Sequence, residues 1–401
     1  METRSKTRIL FVDDEAMILE MLEVTLEAMA PEWEMSFVDS GEKALALMEK
    51  KPFDLVVSDM RMPGMTGAQL LNEVMKRYPA TVRLILSGYA EADLVMRCVG
   101  ATHQFMAKPF ELTALIATLN RIHRLKTRLR SPEIQNLLAR RASLPSMPSV
   151  YFQILQALQS PDWPIERIAQ IVATDPGLTT KILQLVNSAF FGFARNVSDA
   201  DQAVMLLGLS TIRSLALTTQ LFSAFESKQV AGYSVERVWS HSMRVGQLAK
   251  KIAEIEGAEE RLVEQTFTAG LLHDVGKLIL AENRSIKYLE LMARAREQGR
   301  QLVEAEEETL RATHAEVGAY LLDLWGLPAP LVEAVALHHQ PGQSAENGFT
   351  SLTAVHVANV LEQETAQELP HGALNHLDSA YLERLGLQDR VNLWREQLSA
   401  S

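Results

Sequence analysis

Short runs rich in β-branched and aromatic residues alternate with helical stretches along the first 110 residues, and this alternation then stops. The five runs are RILFV (8–12), WEMSFV (33–38), DLVVS (54–58), VRLILS (82–87) and HQFMA (103–107). Strand alternating with helix predicts βαβ units, and therefore a parallel sheet covered by helices on both faces. A doubly wound domain of this kind binds its ligands at the carboxyl ends of the strands.

The strand pattern disappears beyond residue 131. The segment SPEIQNLLARRASLPSMPS has three prolines and no clear periodicity, which is typical of a linker. Helical periodicity follows, and one helix start is well marked by Asp175 as N-cap and Pro176 at the first helical position. We therefore predict an α/β doubly wound domain over 1–124, a linker over 125–143, an all-α domain over 144–345, and C-terminal helices over 346–401 that pack on it.

Charge and residue usage exclude several classes of partner. The formal net charge is −11, whereas nucleic acids and anionic membranes bind basic faces. Residues 196–226 superficially resemble a DNA-reading helix pair, but Arg213 is the one basic residue among them. The single cysteine, Cys98, excludes an internal disulfide and fits a reducing compartment, and no uninterrupted apolar run is long enough to span a bilayer. We predict a cytoplasmic protein that binds neither DNA nor membranes.

Polar residues follow four of the predicted strands. Asp13 and Asp14 close the first strand, Asp59 closes the third, Ser87 ends the fourth and Lys108 follows the fifth. Because the carboxyl ends of parallel strands share one edge, the three carboxylates should converge there, and they repel one another unless a cation lies among them. Mg²⁺ prefers such oxygen ligands. One carboxylate could then attack a phosphoryl donor while the lysine ammonium neutralises the developing charge.

These residues, together with DMRMPGMTG (59–67) and Lys108-Pro109, closely resemble the receiver domain of bacterial response regulators, which has a flavodoxin-like fold. The resemblance covers residues 7 to about 124. It implies that a sensor histidine kinase phosphorylates Asp59, and that Lys108 senses the phosphate. It also implies a cis peptide before Pro109, a switch formed by Ser87 and Phe105, and Mg²⁺ held by Asp13, Asp14, Asp59 and the backbone carbonyl of Arg61.

Five histidines of the second half lie on apolar stripes of predicted helices: His241, His273, His314, His338 and His339. Thr313 and Glu316 form a capping box that fixes His314 in the first turn of its helix. His273 and Asp274 are predicted to end a helix, with Gly276 as its C-terminal stop. Imidazoles beside a carboxylate make a plausible site for Fe, Mn or Zn, which would activate a water for phosphoester hydrolysis.

The ordered series His241, His273-Asp274, His314 and His338-His339 resembles the metal ligands of the HD superfamily of phosphohydrolases. Segments such as IVATDPGLTTKILQLVNSAFFG and AVMLLGLSTIRSLALTTQLF resemble one branch of it, the HDOD (HD-related output) domain, which is mostly treated as a non-enzymatic signalling module. Two departures affect activity. Asn359 stands where the hydrolases have a last aspartate ligand, and HHQPGQSAENGF replaces the signature of cyclic di-GMP phosphodiesterases.

The leading hypothesis is a two-component response regulator whose output passes by protein–protein contact with an unknown target. In this hypothesis the HDOD domain is non-catalytic, and its histidine site is degenerate and holds no transition metal. The alternatives are a metal-dependent phosphohydrolase or phosphodiesterase gated by the receiver, and a nucleotide sensor that does not hydrolyse its ligand. Phosphorylation-dependent homodimerisation stays open.

Overall fold

The computed structural model describes residues 7–29, 33–78, 81–88, 101–128, 148–157, 165–186, 197, 199–226, 234–283, 285–365 and 376–399. The chain divides into two compact units, one made mainly of residues 1–149 and the other mainly of residues 150–401. The first unit mixes strands and helices, and the described part of the second is helical. Both fold classes agree with the sequence prediction.

A five-stranded sheet forms the centre of the first unit. Its strands are β1 (Thr7–Val12), β2 (Trp33–Val38), β3 (Leu55–Asp59), β4 (Val82–Gly88) and β5 (Gln104–Lys108). All neighbours are parallel and the spatial order is β2-β1-β3-β4-β5, which is the flavodoxin-like arrangement. The central strands β1 and β3 are buried along nearly their whole length, as expected for a sheet covered on both faces.

Four described helices accompany this sheet: α1 (Ala16–Met29), α2 (Gly41–Met48), α3 (Gly67–Arg77) and α4 (Leu112–Arg128). A capping box between Thr66 and Gln69 starts α3. A Cβ atom at Gly67 would lie 2.0 Å from the carbonyl oxygen of Asp59, so only glycine allows the chain to return this closely to the end of β3. Helix α4 continues through residues 125–128, so its last turn lies within the predicted linker.

The second unit contains fifteen helices within the described ranges. They are α5 (Ser149–Ala157), α6 (Ile165–Ala173), α7 (Pro176–Val186), α8 (Ala200–Leu207), α9 (Leu209–Glu226), α10 (Val235–Ile255), α11 (Glu260–Leu272), α12 (Val275–Asn283), α13 (Ser285–Glu297), α14 (Leu302–Leu310), α15 (His314–Leu324), α16 (Ala329–Leu337), α17 (Ser351–Thr365), α18 (Ser379–Arg384) and α19 (Arg390–Ser399). A short 3₁₀ turn spans Pro341–Gln343.

Helix α10 lies at the centre of this unit, where it packs against α11 and α17. Its buried stripe includes Val238, His241, Val245 and Ile252, as the helical spacing predicts. The C-terminal helix α19 is held by the carboxylate of Glu256, which accepts hydrogen bonds from Arg390 Nε and from the indole of Trp394, both at 2.8 Å. Trp394 is fully buried.

Two predicted helix starts are confirmed. The Asp175 carboxylate accepts the backbone N–H of Leu178, and Thr313 and Glu316 bond each other's backbone N–H groups. The predicted helix stop at Gly276 is wrong, because α11 ends at Leu272 and Gly276 lies in the first turn of α12. Glycine is needed at position 276 for a different reason, because a Cβ atom there would lie 1.8 Å from the carbonyl oxygen of His314.

Most of the predicted linker (129–143) falls outside the described residues. Within the described ranges, no single helix is both long and apolar enough to cross a bilayer. Helices α8 and α9 pass that test only as a pair, and the two are bent by 115° at Gly208.

Candidate functional sites

The carboxyl edge of the sheet brings together Asp13, Asp59 and Lys108. Asp13 follows β1, and the other two residues end β3 and β5. The ammonium of Lys108 donates a hydrogen bond to Asp13 Oδ2 at 3.0 Å and another to Asp59 Oδ1. In the sequence, Lys108 is 95 positions from Asp13 and 49 positions from Asp59. The parallel topology alone predicts that these residues meet, because the carboxyl ends of the strands share one edge of the sheet.

Backbone donors fix the two carboxylates. The N–H of Arg61 donates to Asp59 Oδ2 at 2.6 Å, and the N–H of Glu15 donates to Asp13 Oδ1 at 3.0 Å. Burial raises the pKa of Asp59 above its ordinary value, and the hydrogen bond from Lys108 only partly opposes this. Burial alone would lower the pKa of Lys108, but the two carboxylates outweigh it and raise that pKa. Two carboxylates sharing one ammonium leave negative charge that a hard cation would neutralise.

The remaining predicted residues of this edge have different exposures. Asp14 is exposed beside Asp13, where a solvent-borne ion has access to it. Asp59 pairs with Leu86 on β4, so Ser87 lies one residue beyond it on the neighbouring strand, and its side chain is buried. Phe105 pairs with Ile85 and is half-buried. The peptide bond before Pro109 is cis, as the resemblance implies.

In the helical unit, all five predicted histidines converge on Asp274. His241 comes from α10, His314 is the first residue of α15, and His338 and His339 follow α16. His273 and Asp274 lie between α11 and α12. All but His339 are buried, with Asp274 only 1% exposed.

The two carboxylate oxygens of Asp274 face different histidines. Oδ2 lies 3.6 Å from His241 Nε2 and 3.5 Å from His273 Nε2. Oδ1 lies 3.3 Å from His314 Nε2 and 3.9 Å from His338 Nε2. His339 Nε2 completes the second set, 3.0 Å from His314 Nε2. The potential ligand atoms thus form two metal-sized groups that share one aspartate.

Comparison with known protein families finds a match in each half of the chain. Residues 9–120 match the model of the response regulator receiver domain, and residues 144–341 match that of the HDOD domain. The chain therefore combines a receiver domain with an HDOD domain. Receiver domains take part in phosphotransfer from a histidine kinase or a similar partner and generally bind Mg²⁺.

Three similar proteins illustrate both domains. Response regulator protein FleR of Pseudomonas aeruginosa is 38% identical over 113 residues, which are 27% of this chain and 23% of FleR. A cyclic di-GMP phosphodiesterase of Thermotoga maritima is 24% identical over 278 residues, 68% of this chain and 59% of that protein. The crystal structure of an HDOD domain protein from Geobacter sulfurreducens covers 65% of this chain and 90% of its own, with 25% identity and a TM-score of 0.55. The matched part of the chain spans less than two thirds of the length of each of these curated relatives.

The HDOD site also contains two buried glutamates that the sequence analysis missed. Glu362 of α17 accepts a hydrogen bond from His241 Nδ1 at 2.6 Å, and its other oxygen accepts one from Arg244. Glu306 of α14 accepts hydrogen bonds from the ring Nδ1 of His314 at 2.7 Å and from the Tyr288 hydroxyl. Outer carboxylates of this kind orient metal-ligating histidines. The sequence holds only a weak indication of them, an acidic residue on an otherwise apolar helix face.

These outer contacts determine which ring nitrogen is available to a ligand. His273 Nδ1 donates to the carbonyl of Gly270 and His338 Nδ1 to that of Val335, because a carbonyl can only accept. With Nδ1 protonated on His241, His273, His314 and His338, their Nε2 atoms face inward. His241 Nε2 and His273 Nε2 are 3.3 Å apart, an approach that a shared proton or cation makes favourable. The residues therefore fit a transition-metal site.

Burial and charge explain the protonation of the cluster. Burial lowers the pKa of His273 to about 4 and lowers those of His338 and His339 well below the ordinary value. Burial would also lower the pKa of His314, but the carboxylates of Glu306 and Asp274 outweigh it and raise that pKa. Most of the imidazoles are therefore neutral at neutral pH, which is the form that binds metal.

Asn359, predicted to replace a metal-ligating aspartate, is buried on α17. Its side-chain oxygen accepts a hydrogen bond from Gln363 at 3.2 Å. The acidic side chain of α17 that reaches the cluster is Glu362, and it contacts the outer nitrogen of His241. This helix therefore supplies an orienting carboxylate to the site.

Proposed function

We propose that the chain is a response regulator that is phosphorylated on Asp59, and that the phosphorylation state of its receiver controls the HDOD output domain. The observation that carries the proposal is the convergence of Asp13, Asp59 and Lys108 at one sheet edge. Asp59 lies at the end of a central strand with its Oδ2 atom held by the Arg61 N–H, which leaves Oδ1 facing the ammonium.

The chemistry follows from these contacts. An Asp59 carboxylate oxygen attacks the phosphorus of the donor, the bond from phosphorus to the leaving group breaks, and an acyl phosphate forms. The Lys108 ammonium neutralises charge on the transferred phosphoryl group, and Ser87 is one residue beyond Asp59 on the next strand to hydrogen-bond it. Asp13, Asp14 and Asp59, with the Arg61 carbonyl, would hold Mg²⁺, which supplies further charge neutralisation when bound.

A phosphorylation assay tests the proposal. The full chain is incubated with Mg²⁺ and a ³²P-labelled small phosphodonor, beside Asp59→Asn and, as a matched control, Asp39→Asn. Asp39 is an exposed carboxylate paired with Lys43, so its loss should leave labelling unchanged. We expect hydroxylamine-sensitive label in the parent and in Asp39→Asn and none in Asp59→Asn. Equal labelling of both variants would refute the assignment.

A second function, metal-dependent phosphoester hydrolysis by the HDOD domain, is favoured by one observation. Five histidines from four places in the sequence converge on Asp274, with four of them oriented by outer contacts. These contacts turn the Nε2 atoms of the four histidines toward Asp274, which is the orientation that a metal-binding site requires. Asp274 and the histidines would hold the metal, which would lower the pKa of a bound water. The similarity to a cyclic di-GMP phosphodiesterase makes a phosphodiester the first substrate class to assay.

Turnover of bis(p-nitrophenyl) phosphate by the Mn²⁺-loaded full chain tests this second function, with and without prior phosphorylation. We expect hydrolysis that is lost in Asp274→Ala. Metal binding without hydrolysis of this substrate or of cyclic di-GMP would leave the adaptor function as the proposal and exclude the hydrolase.

A further inference from the structure

His356 joins the end of α16 to the start of α18. It lies on α17, where it is only 2% exposed. Its Nδ1 atom is 2.8 Å from the His338 carbonyl oxygen, and its Nε2 atom is 3.0 Å from the backbone nitrogen of Asp378. A carbonyl can only accept a hydrogen bond and an N–H can only donate one, so the ring carries its proton on Nδ1 and a lone pair on Nε2. One neutral imidazole therefore connects two segments of backbone.

Helix geometry explains why both ends of this contact need a partner. Helix α16 ends at Leu337 and His338 is its C-cap, so the His338 carbonyl is one of those that a helix leaves without an internal partner. Asp378 is the N-cap of α18, and its side chain accepts the N–H of Tyr381 at 2.9 Å, but its own backbone N–H lies outside the helix. A backbone group withheld from water costs free energy unless it is paired. His356 satisfies both groups at once.

Further contacts fasten α18 to the same region. The Tyr381 hydroxyl lies 2.7 Å from the Thr353 hydroxyl of α17, and both side chains are buried. Arg384 donates a hydrogen bond of 3.0 Å to the carbonyl of Ser344, a few residues beyond the end of α16. The chain that follows α16 is therefore held by α18 directly at Ser344 and, through the His356 ring, at His338.

We propose that His356 is a positioning residue of the HDOD site, which fixes His338 and the adjacent His339 through the His338 carbonyl while α18 holds its ring in place. The HDOD match ends at residue 341, so this contact comes from the C-terminal segment beyond it. A shift of the His338 backbone also moves the His338 ring, whose Nε2 atom faces Asp274. The C-terminal helices are therefore part of the output site. This role depends on the two hydrogen bonds alone and does not require hydrolysis by the domain.

Amide hydrogen exchange at residue resolution on the full chain tests the two bonds separately. His356→Asn keeps a donor at the position of Nδ1 and loses the acceptor at Nε2, whereas His356→Gln keeps an acceptor near Nε2 and loses the donor. We expect the Asp378 amide to exchange about tenfold faster in His356→Asn, and the Gln340 amide, which bonds the Leu337 carbonyl, about tenfold faster in His356→Gln. Each amide should keep the parent's rate in the other variant. His376→Asn, which alters an exposed histidine near α18, is the control and should change neither rate.

Rescue and ring spectroscopy distinguish positioning from general stabilisation. His356→Ala should accelerate both amides, and asparagine should restore the Gln340 rate where glutamine does not. Histidine-selective ¹⁵N spectra should show the parent's His338 ring signals in His356→Asn and displaced signals in His356→Gln. Equal acceleration of both amides in these two variants would overturn the assignment, because His356 would then only fill space. If the variants do not fold, the parent spectrum decides: a His356 ring protonated on Nδ1 supports the two bonds, and one protonated on Nε2 excludes them.

Discussion

Gly276 gives the sharpest prediction for the HDOD domain, because its missing side chain allows two helix starts to touch. A Cβ atom at this position would lie 1.8 Å from the His314 carbonyl oxygen and 2.8 Å from the Gly318 backbone nitrogen. Ordinary contacts begin near 3.4 Å, so Gly276→Ala requires a shift of about 1.6 Å (3.4 − 1.8) between α12 and α15. Both contacted atoms are backbone atoms, so no flexible side chain can move aside.

The expected cost follows from this geometry. Overpacking a rigid interior costs about 1–3 kcal/mol, and a backbone clash belongs at the upper end or beyond. A loss of about 3 kcal/mol corresponds to a fall of roughly 6–12 °C in the melting temperature of a domain of this size. Since His314 is the first residue of α15, the same shift moves its ring relative to Asp274, and metal affinity should fall as well.

Differential scanning calorimetry of the full chain measures this effect, with Gly348→Ala as the control. Gly348 has no atom within 4 Å of its Cβ position and no positive φ, so alanine there should be neutral or slightly stabilising. Melting temperatures of the two variants within about 1 °C of each other would refute the close-packing argument.

Three further predictions concern the helical unit. Glu306→Gln should destabilise it by about 3 kcal/mol, because a buried carboxylate with three donors becomes an amide, whereas Glu308→Gln, which removes an exposed partner of Arg300, should leave the urea midpoint unchanged. Trp394→Ala should cost about 3–5 kcal/mol in urea unfolding, because a fully buried indole is lost, and a cost below about 1 kcal/mol would contradict the docking of α19 on Glu256. Acid should also destabilise the unit: the folded pKa of His273 is about 4 against an ordinary 6.5, so the unfolded chain binds the extra proton as the pH falls between these values. The contribution of His273 to the free energy of unfolding should be complete above pH 6.5 and should fall by about 1.4 kcal/mol for each pH unit between 6.5 and 4. His338 and His339, whose pKa values are also lowered, should add to this loss, whereas His314, whose pKa is raised, should oppose it. Equal urea midpoints at pH 7.5 and 5.5 would contradict the predicted loss of stability at the lower pH.

The receiver site could be predicted closely because its topology does most of the positioning. Once five strands are parallel and ordered by right-handed crossovers, residues at their carboxyl ends share one edge whatever the details of the helices. Asp13, Asp59 and Lys108 are up to 95 positions apart, yet strand ends alone bring them together. The sequence could not indicate that the Arg61 N–H holds Asp59, because that contact depends on the exact loop path after β3.

The histidines and the aspartate of the helical site could be predicted from the sequence, but the outer glutamates and the arrangement of the site could not. Helical spacing identifies which face of a helix is buried, but the partner of that face depends on packing between distant segments. The bond between His241 and Glu362 joins residues 121 positions apart, and no local pattern indicates it. Gly276 was misinterpreted for a related reason, since a glycine near a helix end can serve a left-handed turn or a close helix contact.

The adaptor and metal-binding hypotheses for the HDOD domain are compatible, and the geometry favours combining them. The five histidines come from α10 and from the starts or ends of α11, α15 and α16, so an ion bound among them would cross-link these segments. A ligand that binds only the folded state stabilises it by about 2.7 kcal/mol at 100 times its dissociation constant. Such an ion would therefore rigidify the surface that a protein target recognises, even without turnover. In that case a chelator should lower both the melting temperature and the affinity for the target in the parent, and neither in Asp274→Ala, whereas a hydrolase without an adaptor role would lose only activity and stability.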